Sequence, residues 1–152
     1  MTDYSVVEYE SRPTAIIRGR VNLADLPSFF AHCLPLVLHA IDAQGTTPGG
    51  EPFAYYRGAP NGSIDVEVGF PVLGTFARRG NVVPSLLPGG HIVTGLHLGA
   101  NDNVGQTYAS MTAWAKSHGF RPTGDMWEVY LTDPERELDP SRWRTGLFLC
   151  VE

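Results

Sequence analysis

Hydrophobic and polar positions along this chain follow two rhythms, and together they mark out its elements. Val6 to Tyr9 and Thr14 to Arg18 read as a strand interrupted near Pro13, with Ile16 and Ile17 at its apolar centre. Leu26, Phe29, Phe30, Cys33, Leu34, Val37 and Ile41 then recur at helical spacing and form one broad apolar stripe. Asn22 and Asp25 offer N-cap oxygens, and Pro27 sits where a first helical turn tolerates it. Pro35 predicts a kink, and Gly45 ends the helix. Phe53 to Arg57 is the next strand. Ala59, Pro60, Asn61 and Gly62 predict a hairpin loop, because Asn-Gly accepts positive φ. Ile64, Val66, Val68 and Phe70 alternate with Asp65, Glu67 and Gly69, which predicts a strand with one wet or pocket-facing side.

The second half repeats this order. Pro71 to Gly90 reads as a connection with a short strand around Val82, and His91 to Leu98 opens the half as a strand. Asp102 or Asn103 caps a helix whose face is Val104, Tyr108, Met111, Ala115 and His118, ended by Gly119. Trp143 to Val151 alternates as the last strand. Before it, Trp127 to Leu131 runs into an Asp133-Pro134 turn. Side chains alternate across a strand, so Met126, Glu128 and Tyr130 share one face while Trp127, Val129 and Leu131 share the other. The Trp127 face is wholly apolar and predicts a core contact. The Glu128 face holds an acid between large side chains, which predicts a ligand pocket.

At 152 residues, with 43% hydrophobic and 18% charged, the chain reads as one ordinary globular domain. Its net charge of -5 argues against direct nucleic-acid binding, which needs clustered Lys and Arg. There is no signal segment and no apolar run near the ~20 residues of a membrane helix, so the expectation is a cytoplasmic protein without a membrane partner. Cys33 and Cys150 show no metal or redox spacing and read as reduced core thiols. The five histidines have no ligand spacing, and no glycine pattern forms a phosphate loop. No metal or cofactor is expected.

An offset of 74 residues places Gly45 on Gly119 and Tyr56 on Tyr130. It also places Phe30, Leu34, Val37 and Ile41 on Val104, Tyr108, Met111 and Ala115. The chain therefore reads as two pseudo-repeats, about 1–80 and 81–152. Ala54 is the residue that corresponds to Glu128, so an acid in one half faces a small residue in the other.

On these residues the chain resembles the GyrI-like small-molecule-binding domain family. Phe53-Ala54-Tyr55-Tyr56 and Asp65 to Val72 carry the resemblance in the first half. Tyr108, Trp114, Gly119, Trp127 to Pro134, Asp139-Pro140 and Trp143-Arg144-Thr145 carry it in the second. The resemblance implies an α+β fold: a duplicated strand-helix-strand-strand repeat, a curved antiparallel sheet with two main helices, and a ligand groove at the pseudo-twofold axis. It also implies effector-binding relatives among multidrug-responsive and AraC-type transcription activators, whose helix-turn-helix domain has no counterpart in these 152 residues.

The candidate ligand-binding residues are Glu128, Tyr130, Tyr56, Tyr108, Trp114 and Phe70. A carboxylate among aromatics loses hydration, and a lipophilic cation restores the missing charge while its body stacks on the rings. Against this stands a Glu satisfied by a backbone amide or by Arg57, with the tyrosines and Trp114 as ordinary core aromatics. If Glu67 lies across the groove, Glu67 and Glu128 form a carboxylate pair suited to acid–base hydrolysis. The resemblance adds a hydrolase of cyclopropane-bearing compounds as one alternative, and a protein-interaction role such as gyrase modulation as another. The leading expectation is a small-molecule-binding protein for amphipathic, cationic or aromatic ligands, acting in sensing or sequestration.

Overall fold

A computed structural model describes residues 4–61, 63–100, 104–133 and 136–152. The elements in order are β1 (Ser5–Tyr9), β2 (Arg12–Asn22), α1 (Leu26–Ala43), β3 (Phe53–Asn61), β4 (Ser63–Pro71), β5 (Val83–Leu87), β6 (Gly90–Leu98), α2 (Val104–Ser117), β7 (Pro122–Tyr130) and β8 (Arg144–Val151). All eight strands form one antiparallel sheet in the order β1-β6-β8-β7-β3-β4-β2-β5. Reading that order from the centre outward gives the same sequence of equivalents on both sides. The two repeats are β1-β2-α1-β3-β4 and β5-β6-α2-β7-β8, and each lends its first strand to the other's edge.

This exchange corrects the expectation of one interrupted strand before α1. Val6 to Tyr9 pairs with β6 at one end of the sheet, while β2 pairs with β4 and β5 at the other. The break falls at Glu10 and Ser11, not at Pro13. Pro13 lies inside β2, where it escapes the usual penalty because the β4 register begins only at Thr14. The short strand expected around Val82 in the Pro71–Gly90 connection is β5, at Val83–Leu87.

α1 enters through a 3-10 turn over Leu23–Asp25. Asp25 stands at the N-cap position but makes no side-chain cap bond, since its backbone (φ -95°, ψ -3°) is already helical. The helix runs on through Pro35 to Ala43, and Gly45 follows it with φ 73°. The expected caps Asp102 and Asn103 and the hairpin residue Gly62 lie outside the described residues.

Helical spacing buries Cys33, Val37, Ala40 and Ile41 of α1 against Ala15, Ile17, Val66 and Val68. Met111 and Ala115 of α2 pack in the same way against Val93, Leu147 and Leu149. Both helices cover one face of the sheet. The other face closes on itself: Ile16, Phe53, Tyr55, Leu87, Ile92, Trp127 and Cys150 form one core, with Tyr9 packed against it. Residues of both end strands thus meet over the centre, which curls the sheet toward the face away from the helices.

Trp127 is fully buried there, stacked on Phe148 at 4.8 Å with Tyr9 edge-on at 6.4 Å. Val129 joins this core as expected, but Leu131 falls beyond the strand end and is 43% exposed. The Trp127 indole nitrogen is buried without a hydrogen-bond partner. Trp127→Ala is therefore expected to cost about 3–5 kcal/mol in urea unfolding. Trp127→Phe should cost clearly less, because losing the orphaned donor offsets part of the lost packing.

Candidate ligand groove

The two repeats meet along β3 and β7. Their register pairs Phe53 with Val129, Ala54 with Glu128, Tyr55 with Trp127 and Tyr56 with Met126. The 74-residue offset also maps Ala54 onto Glu128. A pair that is joined by the sheet and exchanged by the repeat must sit on the pseudo-twofold axis. α1 stands over β2 and β4, and α2 over β6, β8 and β7, so the central seam forms a floor between two helices.

Glu128 points up from that floor on the helix side and is 5% exposed. The Tyr130 hydroxyl donates to its Oε2 at 2.6 Å, and Tyr56 approaches the same oxygen at 3.4 Å, a weaker contact. The Tyr108 hydroxyl donates to the Trp127 carbonyl at 3.3 Å, and from there it helps to lower the Glu128 pKa. The edge-to-face ring pair of Phe30 and Tyr130, 4.6 Å between centroids, joins α1 to this cluster. Among the described residues no Lys or Arg forms an ion pair with Glu128.

The electrostatics follow from burial. Desolvation pushes the Glu128 pKa up, and the hydroxyls of Tyr130 and Tyr56, the nearby His97 and the Tyr108 hydroxyl pull it partly back. Burial raises the tyrosine pKa values too, and the adjacent carboxyl raises them further. The cluster is one acid held by hydroxyl donors, and its own side chains supply it with no full positive charge in contact.

Of the residues singled out in the sequence, Glu128, Tyr130, Tyr56 and Tyr108 come together. Trp114 does not join them: it stacks on His118 at 4.1 Å and meets Tyr4 edge-on at 6.0 Å. Phe70 packs into the core beneath α1. Glu67 lies on the other side of the sheet. Its register partners are Tyr55 and Arg18, whereas Glu128 shares a row with Ala54 and Val68. The two carboxylates therefore face opposite ways, and no pair spans the groove. Nor is Glu67 on a wet face: it is 2% exposed and held by Arg57 at 2.8 Å and Ser85 at 2.6 Å. Arg57 thus serves Glu67 rather than Glu128.

Several groove neighbours were not visible as such. Phe30 reads as a plain apolar position, and His97 and Thr145 as strand residues, whereas alternation already puts Met126 on the Glu128 face. In the sheet Tyr130, Thr145 and His97 form one row on the helix face, and the corresponding row of the first half is Tyr56, Val66 and Gly19. Beyond the matched tyrosines, the polar members of this row, Thr145 and His97, belong to the second half. Two surface hollows, of about 510 and 560 Å³, border Arg57 and Phe76, and Phe29 and His32; neither borders Glu128. In this conformation the tyrosines themselves cover the acid.

The fold has clear relatives. The C-terminal domain of EcmrR aligns with a TM-score of 0.87 at 19% identity, covering 100% of this chain and 98% of that domain. In the EcmrR–DNA complex the TM-score is 0.86 at 22% identity, covering 99% of this chain, which spans 57% of that longer chain. SAV2435 bound to tetraphenylphosphonium aligns with a TM-score of 0.72 at 12% identity, covering 99% of this chain and 94% of that one. Comparison with curated protein sequences gives no match. The profile of the GyrI-like small molecule binding domain matches residues 2–152, and the chain belongs to that family of small-molecule-binding domains.

Proposed function

We propose that this domain captures amphipathic organic cations at Glu128, in a sensing or sequestering role. One observation carries the reading: a carboxyl on the pseudo-twofold axis, buried among tyrosines and Phe30, with no cationic side chain paired to it among the described residues. Desolvating an unpaired carboxylate is costly, so a group that brings its own positive charge and an apolar body gains on both counts. Aromatic faces add about 0.5–2 kcal/mol each when the cation sits over them. The tetraphenylphosphonium bound to SAV2435 has this chemistry and supports the reading by analogy. Access requires Tyr56 or Tyr130 to swing aside, since their hydroxyls meet the carboxyl oxygen that a cation would face, while Tyr108, bonded to the Trp127 carbonyl, stays as a wall beside the acid. Placing Glu67 on the opposite face favours binding over two-carboxylate hydrolysis.

Glu128→Gln keeps the shape and removes the charge. It is expected to weaken tetraphenylphosphonium binding by about 2 kcal/mol, or roughly 30-fold, in isothermal titration calorimetry. The neutral triphenylphosphine oxide should bind both proteins alike. Equal loss for both probes, or no loss for the cation, would sink the charge-based reading.

Acidity provides a second test. The free protein holds Glu128 with a raised pKa, and a bound cation favours the ionised form. Cation affinity should rise with pH through that raised range and flatten above it, with proton release on binding at the lower pH. For folding the sign runs the other way. The stability that Glu128 contributes is full below the ordinary carboxylate range and is lost as pH rises through the raised value. Thermal melts should therefore show the Glu128→Gln variant gaining on the natural protein as pH rises.

A further inference from the structure

His97 is 5% exposed, and both of its ring nitrogens are engaged. Nε2 lies 2.8 Å from the Ala100 carbonyl oxygen, and Nδ1 lies 2.8 Å from the Thr107 hydroxyl. A carbonyl only accepts, so Nε2 carries the proton, and in the neutral ring Nδ1 accepts from Thr107. The side chain therefore ties the end of β6 both to the start of its own connection and to the first turn of α2. Tyr108, the residue after Thr107, is the one that α2 sends toward Glu128.

The first half fills the equivalent place differently. Gly19 corresponds to His97, and the Phe29 ring lies 2.7 Å from where a Gly19 Cβ would stand. An aromatic ring packs the first half where a hydrogen-bonded imidazole packs the second. Leu34 likewise corresponds to Tyr108 under the repeat offset. The tether and the tyrosine thus occur together, on the side of the axis that holds the acid. Apolar filling would suffice for packing alone. Two directional bonds also set where the helix end stands, since a buried imidazole with either nitrogen unpaired is penalised.

We infer that His97 is a positioning residue for the groove: by tethering Thr107 it holds the first turn of α2 so that Tyr108 stands as a fixed wall beside Glu128. This rests on the proposed cation-binding role of Glu128, but the tether itself can be read without ligand. Hydrogen exchange of the ligand-free protein should quicken across 104–110 in both His97→Ala and Thr107→Val. His97→Asn, whose side-chain amide reaches the place of Nδ1, should stay close to the natural protein.

Binding supplies the readout that a merely structural histidine would not move. His97→Ala should weaken tetraphenylphosphonium about tenfold, and His97→Asn should recover most of that loss. In a Tyr108→Phe background His97→Ala should cause no further loss. Unchanged exchange overturns the inference, as does a His97→Ala effect on affinity that multiplies with that of Tyr108→Phe. Altered exchange in a protein that binds no cation supports the tether and counts against the cation-binding reading alone.

Discussion

The antiparallel pairing of Ala54 with Glu128 is the constraint on which the rest depends. Joining β3 to β7 at this register places one residue of each repeat on the shared axis and sets every other residue's side by parity. Tyr56 and Tyr130 then flank the axis on the helix face, while Tyr55 and Trp127 turn to the closed core. A slip of one residue would move the acid into that core and the tryptophan into the groove. The large apolar core under Trp127 therefore fixes the register that exposes Glu128 to the helices.

The acid itself opposes folding, since a buried carboxyl costs more ionised than neutral. Hydroxyl donors from β3, β7 and α2 lessen that cost without removing the negative charge. This differs from the treatment of Glu67, which Arg57 and Ser85 satisfy fully on the opposite face. Two buried glutamates in one small sheet thus have opposite characters. One is neutralised as part of the architecture, and the other keeps an unmet electrostatic demand beside the seam between two helices.

Near-symmetry makes that difference informative. The exchanged edge strands, the paired helices and the two glycines after them, Gly45 and Gly119, follow the same plan in both halves. Departures cluster around the axis: Glu128 against Ala54, Tyr108 against Leu34, Thr145 against Val66 and His97 against Gly19. All place polarity on the second side. A symmetric frame carries a one-sided polar cluster, and its asymmetry is chemical rather than topological.

Much of this was legible in the chain because it depends on short-range periodicity. Period-two alternation puts Glu128, Tyr130 and Met126 on one face, helical spacing marks both stripes, and the repeat offset alone pairs Ala54 with Glu128. What periodicity cannot carry is pairing between distant strands. The parity of β4 against β3 put Glu67 on the wrong side for a carboxylate pair, and the exchange of β1 and β5 split an apparently single strand. His97 escaped notice because the repeat offset differs on the outer strands, so its match to Gly19 emerges only from the sheet register. Local periodicity is enough to say which residues share a strand or helix face. Which of those faces meet depends on register and curvature, and these are set by the packing of Trp127 and its neighbours across the whole sheet.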